Sequence, residues 1–157
     1  MTTRILFVCL GNICRSPAAE GVVRAQAEAA GLDWQIDSAG IGNWHRGASP
    51  DPRMLAAAAR RGVDLSGQRA RQVRQQDFHS FSHILAMDNS NSVVLQRAAP
   101  LTSLAEIRLF LPFAPELSTT EVPDPYYGGT AGFEHVLDLI EAAGRGLIAA
   151  LRDGARR

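Results

Sequence analysis

Short apolar runs alternate along this chain with longer segments in which apolar residues recur at helical spacing. The run at residues 5–8 is continuously apolar and rich in β-formers, which is typical of a parallel strand buried on both faces. Alternation of apolar and polar residues elsewhere indicates strands that are less deeply buried. The pattern predicts four strands, over residues 5–8, 34–37, 83–87 and 107–111.

Helix start and stop signals fall between these strands. Ser16 followed by Pro17 is a typical start, with Ser16 as the cap, and Gly31 is a typical stop. Asp51 and Asp88 are predicted to cap two further helices. We expect helices over residues 17–30, 52–61, 89–98 and 131–152, short helical turns within 64–79, and loops over 39–45 and 112–129.

The regular order of strand and helix predicts an α/β fold. Such alternation favours one parallel sheet, here of four strands, with helices on both faces. We expect a single domain over residues 1–157, because neither a linker nor a repeat interrupts the pattern. Functional sites of such sheets lie beyond the carboxyl ends of the strands, and the loop after the first strand leaves at that edge.

Composition excludes several classes of function. The 16 basic residues, all Arg, balance 16 acidic ones, which argues against nucleic acid as a partner. The absence of Lys excludes Schiff-base chemistry and a Walker-type phosphate loop. No apolar run is long enough to span a membrane, and two Cys are too few for a disulfide scaffold. We therefore expect a cytoplasmic protein with reduced thiols and, because the His residues lack ligand spacing, no metal.

The loop after the first strand carries the strongest chemical signal. Gly11 and Asn12 tolerate unusual dihedral angles, so successive N–H groups can form a nest for an anion in front of a helix N-terminus. Arg15 follows Cys9 by six residues and can bring its guanidinium over the same nest. The positive potential favours the Cys9 thiolate, a nucleophile aimed at phosphorus, and Ser16 can donate to its sulfur.

A second segment offers the proton that a leaving oxygen needs. Asp124 lies between two prolines that stiffen the loop around its carboxyl group. We expect it to be a general acid, although Asp before Pro is also an ordinary turn residue. Tyr126 and Tyr127 follow and can wall an aromatic pocket.

Together these segments resemble the low-molecular-weight protein tyrosine phosphatases. The resemblance rests on residues 8–17 (VCLGNICRSP) and 124–128 (DPYYG), with weaker echoes at 37–40, 42–45, 51–53, 69–72 and 87–91, in the family's order. It implies a phosphotyrosine phosphatase I-like fold and cofactor-free hydrolysis through a phosphocysteine. It makes Cys9 the nucleophile, Arg15 the phosphate clamp, and Asp124 the acid that later activates water.

The resemblance also implies supporting roles. Leu10, Gly11 and Ile13 complete the phosphate loop, Asn12 and Ser38 hold its shape, and Ser16 assists the thiolate. Cys14 resembles the second loop Cys, which forms a reversible disulfide with the nucleophile, although simple packing is the alternative. Trp44 resembles the aromatic residue of the substrate cleft. Ile13 suits an aromatic ester, whereas members that resemble arginine phosphatases tend to carry Thr at this position. Gln68 is a departure from the family pattern, because many members have His there.

Two other functions stay open from the sequence. Arsenate reduction with an external thiol fits the loop, but Asp124 argues against it, because an aryl ester is what needs an acid. A non-catalytic phosphate-binding or redox-sensing module fits less well with Cys9, Arg15 and Asp124 all present. The leading prediction is a phosphatase acting on phosphotyrosine-bearing proteins, with a tyrosine kinase among the candidate partners, as a monomer or weak dimer.

Overall fold

Four parallel strands form the centre of the molecule, in a computed structural model that describes residues 2–126 and 128–155. They lie in the order β2-β1-β3-β4. This arrangement confirms the predicted α/β fold and parallel sheet. The strands are β1 (Arg4–Cys9), β2 (Gln35–Gly40), β3 (His83–Ala86) and β4 (Glu106–Leu109).

Helices connect the strands and follow the last one. The predicted helices are confirmed, with ends that differ by at most three residues. They are α1 (Arg15–Ala29), α2 (Pro52–Ala59), the short α3 (Asp77–Ser80), α4 (Asn89–Ala98) and α5 (Thr130–Ala155), and a 3₁₀ turn covers Leu111–Phe113.

Strand β1 contributes to two apolar cores, one on each face of the sheet. Ile5 and Phe7 pack with the buried residues of α1, α2 and α5. Leu6 and Val8 point the other way and pack with Phe78 of α3 and with α4. Because both faces are covered, every residue of β1 after the first is buried, as its continuous apolar run predicts.

Three of the predicted helix boundaries rest on the expected local contacts. The Asp51 carboxylate accepts a hydrogen bond from the Arg53 backbone N–H at 2.8 Å, and Asp88 accepts one from the Asn91 N–H at 2.8 Å. Gly31 has φ 73°, a left-handed conformation that ends α1 at little steric cost.

Several boundary predictions were wrong, including those for Trp34 and Met87, which lie just outside β2 and β3. Ser16 does not cap α1: the helix begins at Arg15 with Cys14 at the cap position, and the Ser16 hydroxyl turns inward instead. Residues 39–40 continue β2 rather than beginning the loop, because they pair with 8–9 of β1. Leu111 lies in the 3₁₀ turn, beyond the end of β4.

Helix length and polarity also bear on the membrane prediction. Within residues 2–126 and 128–155, no helix combines the length and the apolar character that crossing a bilayer requires.

Candidate active site

A cavity of about 400 Å³ opens where β1 ends and α1 begins. Cys9 is the last residue of β1, and the loop after it curves around the cavity floor. The structure therefore brings together the two segments that the sequence singled out, although more than a hundred residues separate them. The lining residues are Cys9, Leu10, Gly11, Ile13, Cys14, Arg15, Trp44, His45, Asp124 and Tyr126.

The Cys9 sulfur is buried and receives local hydrogen bonds. The residue is 3% exposed, and its Sγ lies 3.0 Å from the Ser16 hydroxyl oxygen. The Asn12 backbone N–H donates to the same sulfur at 3.3 Å. A thiolate can only accept, so both groups stabilise the anionic form of Cys9.

Asn12 sets the shape of the loop through its backbone and its side chain. Its φ of 59° is left-handed, a conformation that Asn adopts more readily than most residues. Its Nδ2 donates to Ser16 Oγ at 2.8 Å and to Ser38 Oγ at 3.0 Å, and its Oδ1 accepts from the Arg71 backbone N–H at 3.0 Å. The side chain thus ties the loop to α1, to β2 and to the segment after α2.

Glu20 is the last acceptor in this chain of hydrogen bonds, and it determines that Ser38 accepts from Asn12 rather than donating to it. Ser38 Oγ donates its single hydrogen to Glu20 Oε1 at 2.7 Å, so it can only accept from Asn12. Ser16 also accepts from Asn12, and its own hydrogen then has two acceptors in reach, the Cys9 sulfur at 3.0 Å and the Ala39 carbonyl at 3.4 Å. The shorter contact and the negative charge of a thiolate favour the bond to Cys9. Burial raises the pKa of Glu20, and hydrogen bonds from Ser38 and Arg24 oppose that shift.

The Arg15 guanidinium lies beside the sulfur and is held by groups from the other side of the cavity. Its Nη1 donates to Asp88 Oδ2 at 2.7 Å and to the Val122 carbonyl at 3.0 Å. Its Nη2 is 3.7 Å from Asp124 Oδ2. Burial acts to lower the pKa of Arg15, but the charges of Cys9 and Asp88 outweigh it and raise that pKa.

Asp88 is both a helix cap and a partner of Arg15. Burial acts to raise the pKa of its carboxyl group. The hydrogen bonds from Arg15 and from the Asn91 backbone are stronger, and the pKa of Asp88 lies below its ordinary value. The sequence predicts the cap but not the ion pair, which joins residues 73 positions apart.

Asp124 faces the cavity from the proline-rich loop. Its side chain is 42% exposed, and its Oδ1 accepts from the Tyr126 backbone N–H at 3.0 Å. The loop is anchored where Val122 N–H donates to the Met87 carbonyl at 2.8 Å, just beyond β3. One carboxylate oxygen is thereby fixed by its own loop, while the other points towards Arg15.

The aromatic side chains of Trp44 and Tyr126 are among those that line the cavity. Trp44 is 67% exposed. The His45 ring lies 6.4 Å from the Tyr126 ring, centroid to centroid. The sequence analysis predicted that His45 does not bind a metal and gave it no role in the cleft, although it lies in the segment 42–45 that resembles the family. Tyr127 lies outside the described residues.

Two further residues that the sequence singled out lie at or near this site. Cys14 is a free, buried thiol whose pKa is raised, first by burial and then by the charge of Asp51, so the thiol is neutral at physiological pH. Gln68 donates from Nε2 to the Pro17 carbonyl at 3.1 Å. Its Oε1 is buried and finds no hydrogen-bond partner among the described residues.

Comparison with known proteins identifies the family. The profile of the low molecular weight phosphotyrosine protein phosphatases matches residues 4–157. This chain belongs to that family. A low molecular weight protein-tyrosine-phosphatase of Streptomyces coelicolor is 46% identical over 98% of this chain and 96% of its own length. YfkJ of Bacillus subtilis, another such phosphatase, is 41% identical over 94% of this chain and 95% of its own.

Solved structures agree in fold. The crystal structure of a protein tyrosine phosphatase from Entamoeba histolytica, with Hepes in its active site, has a TM-score of 0.94 and 41% identity. It covers 98% of this chain and 99% of its own. The chain is therefore a phosphatase of this class, a hydrolase of phosphoric monoesters.

Proposed function

We propose that the chain hydrolyses phosphotyrosine in proteins, with Cys9 as nucleophile, Arg15 as phosphate clamp and Asp124 as general acid and base. The observation that carries this proposal is that all three side chains line one cavity. A two-step phosphoryl transfer requires a nucleophile, a group that binds the phosphoryl oxygens and an acid. The site offers a buried sulfur with two donors, a buried guanidinium and a carboxyl group at the opening.

The first step transfers the phosphoryl group to sulfur. The Cys9 thiolate attacks phosphorus, and an S–P bond forms as the bond from phosphorus to the phenolic oxygen breaks. Arg15 and the N–H groups of the loop bind the phosphoryl oxygens. Asp124, in its acid form, gives its proton to the departing oxygen, so that tyrosine leaves as a neutral phenol.

The second step returns the enzyme to its starting state. The Asp124 carboxylate, now without its proton, takes one from a water molecule as that water attacks phosphorus. The S–P bond breaks, inorganic phosphate leaves, and the electron pair returns to Cys9 as a thiolate. Ser16 stabilises that leaving thiolate by donating a hydrogen bond to it.

The proposed substrate is an aromatic ester because the cleft walls are apolar and aromatic. Ile13 lines the cavity, and Trp44 and Tyr126 border its opening. A phenyl ring that extends from the bound phosphate can pack against these side chains. We include Tyr127 in this wall from the sequence alone. The partner is a phosphotyrosine-bearing protein, and a tyrosine kinase is a candidate.

We also propose that oxidation of the site yields a Cys9–Cys14 disulfide. Both thiols are free, buried and part of the same cavity lining. Peroxide converts the Cys9 thiolate to a sulfenic acid, and attack by the Cys14 sulfur forms the disulfide and releases water. Intact-mass analysis after peroxide should show a loss of two hydrogens that dithiothreitol reverses. A sulfinic Cys9 as the main product would contradict the disulfide.

The test of the main proposal compares substrates and variants. Phosphotyrosine, phosphoserine, phosphoarginine and arsenate are offered side by side to the wild type and to C9S, with C14S as the matched thiol control. We expect turnover of phosphotyrosine alone, abolished in C9S and retained in C14S. Turnover by folded C9S would contradict the assignment of Cys9 as nucleophile. Preferred turnover of arsenate with an added thiol would contradict the proposed hydrolysis of phosphotyrosine.

Location, domain organisation and assembly stay predictions from the sequence. We propose a cytoplasmic protein, folded as one domain over residues 1–157, that is a monomer or a weak dimer. Sedimentation velocity across a range of concentrations and fractionation of the native cells test these points.

A further inference from the structure

We propose that Arg53 is a positioning residue that holds the loop bearing Asp124 at a fixed distance from the phosphate loop. This inference rests on the proposed function, because it assumes that Asp124 is the acid. Arg53 itself is not among the residues that line the cavity, so it acts through the loop rather than on the substrate.

Arg53 binds the backbone of the acid loop. Its Nη2 donates to the Tyr126 carbonyl at 2.8 Å, and its Nη1 donates to the Gly128 carbonyl at 3.3 Å. These carbonyls lie two and four residues after Asp124 in the chain. The same loop segment supplies the N–H of Tyr126 that fixes the Asp124 carboxylate. A shift of the Arg53 contacts therefore moves the acid.

The other end of this connection reaches the phosphate loop through Asp51. Arg53 Nε donates to Asp51 Oδ1 at 3.1 Å, and its Nη2 lies 2.9 Å from Asp51 Oδ2, a two-pronged ion pair. The Asp51 backbone N–H donates to the Ile13 carbonyl at 2.8 Å. Ile13, Asp51, Arg53 and Tyr126 thus form one continuous set of polar contacts between the nucleophile loop and the acid loop.

Stacking fixes the plane of the Arg53 guanidinium. Its Cζ lies 4.7 Å from the centre of the Phe133 ring, which is fully buried in α5, and 5.6 Å from the Tyr126 ring. A planar group between rings can direct its donors at a carboxylate and at two carbonyls at once. A lysine ammonium keeps the charge but not this fixed fork.

Asp51 and Arg53 are both placed by α2. Asp51 caps the helix and Arg53 is its second residue, so the ion pair is built into the first turn. The hydrogen bond to Arg53 is the main cause of the lowered pKa of Asp51, which keeps the carboxylate charged at neutral pH. The ion pair between Asp51 and Arg53 is therefore present at neutral pH.

A double-mutant cycle tests whether Arg53 acts through Asp124. The variants are R53A, D124N and R53A/D124N, assayed with phosphotyrosine and with p-nitrophenyl phosphate, whose leaving group depends less on an acid. We expect R53A to lower kcat on phosphotyrosine roughly tenfold, because small displacements of a catalytic group are costly. The loss on p-nitrophenyl phosphate should be smaller, and R53A should cause no further loss in the D124N background.

Three controls separate positioning from general destabilisation. R60A removes the Arg at the C-terminal cap of α2, which pairs with Glu134 and, among the described residues, has no hydrogen bond to the acid loop. This variant should leave kcat unchanged. R53K, the variant to use if R53A does not fold, should retain the fold but not the leaving-group dependence of the wild type. Inhibition by inorganic phosphate should be similar in wild type and R53A, since the phosphate loop is intact.

The outcomes distinguish the two proposals. If R53A lowered kcat on phosphotyrosine by the same factor in the wild-type and D124N backgrounds, the role of Arg53 would be overturned. The proposed function would still stand. Equal losses in kcat/KM on both substrates would have the same consequence, because kcat/KM reports the first step, in which the two leaving groups differ, whereas the second step is common to both. A D124N variant with wild-type kcat on phosphotyrosine would overturn the acid itself, and the role of Arg53 with it.

Discussion

Asp88 holds Arg15 by a 2.7 Å ion pair across the carboxyl ends of neighbouring strands β1 and β3. The Arg15 side chain is almost fully buried, whereas that of Asp88 reaches the surface. One carboxylate thus offsets the charge of the guanidinium, directs its Nη1 and caps α4. A phosphate ion can then be met by an arginine that is already oriented, which lowers the entropy lost on binding.

Replacing Asp88 by Ala should destabilise the protein by about 2–4 kcal/mol. The change removes a helix cap worth about 1 kcal/mol and the closest partner of a buried charge. Breaking a fully buried pair costs about 3–5 kcal/mol, but Asp88 is partly exposed and Arg15 keeps its bond to the Val122 carbonyl, so this pair contributes less. D88N is the matched control, because Asn caps a helix as well as Asp does. Urea unfolding should place D88N between wild type and D88A. Equal midpoints for wild type and D88A would contradict the role of the pair.

The pH dependence of stability should report the same ion pair. The pKa of Asp88 is lowered in the folded protein, so its contribution is fully present above the unfolded value of about 3.9 and is lost as pH falls through the folded value. The difference in unfolding free energy between wild type and D88N should therefore be constant above about pH 5 and shrink below about pH 4. A difference that grew towards acid pH would have the wrong sign.

Replacing Asn12 should separate its backbone role from its side-chain role. N12A places a β-carbon in a left-handed conformation, which costs about 1–2 kcal/mol, and also loses the bonds to Ser16 and Ser38. N12G loses the same bonds without the strain. We expect N12G to be the more stable of the two by about 1 kcal/mol, measured by thermal unfolding. Their activities should be equally low, and recovery in N12G alone would assign Asn12 to backbone geometry only.

The sequence predicts those parts of the site that are close in the chain. Cys9, Asn12 and Arg15 lie within one loop, so a strand, a glycine and a helix start suffice to place them together. The order of the elements then predicts that the loop lies at the functional edge of the sheet. The flanking prolines and the family resemblance both point to Asp124 as the acid, but its distance in the chain leaves its position unspecified by local pattern.

The contacts that need three-dimensional information are those between distant polar residues. In the sequence, nothing distinguishes Glu20 from other charged residues of a helix. In the structure it is buried and accepts the last hydrogen bond of the chain that begins at Cys9. His45 lies in the cleft because β2 runs further than predicted and carries the next loop over the cavity. Ser16 has the residue type of a cap, but a nearby sulfur competes for its hydroxyl.

Adding a methyl group at Gly42 should alter the cleft without touching the reacting groups. A β-carbon at Gly42 would overlap the Trp44 ring, which is exposed and can move away at small cost. G42A should therefore raise KM for a phosphotyrosine peptide several-fold and leave inhibition by inorganic phosphate unchanged. W44A is the reference, since it removes the ring itself. If G42A and W44A both keep the wild-type KM, Trp44 does not form the cleft wall.

Removing the Ser16 hydroxyl should slow breakdown of the phosphocysteine more than its formation. Ser16 lies 3.0 Å from the Cys9 sulfur, closer than to its other acceptor, the Ala39 carbonyl at 3.4 Å, and it accepts from Asn12. A hydrogen bond to a charged group contributes about 1.5–3 kcal/mol, which corresponds to a loss of roughly 10- to 150-fold in kcat for S16A. Because the thiolate departs in the second step, S16A should release one equivalent of p-nitrophenol per site in a rapid burst, measured by stopped flow. C9S should show no burst. A lower kcat without a burst in S16A would place the hydroxyl in the first step instead, as an aid to attack rather than to departure.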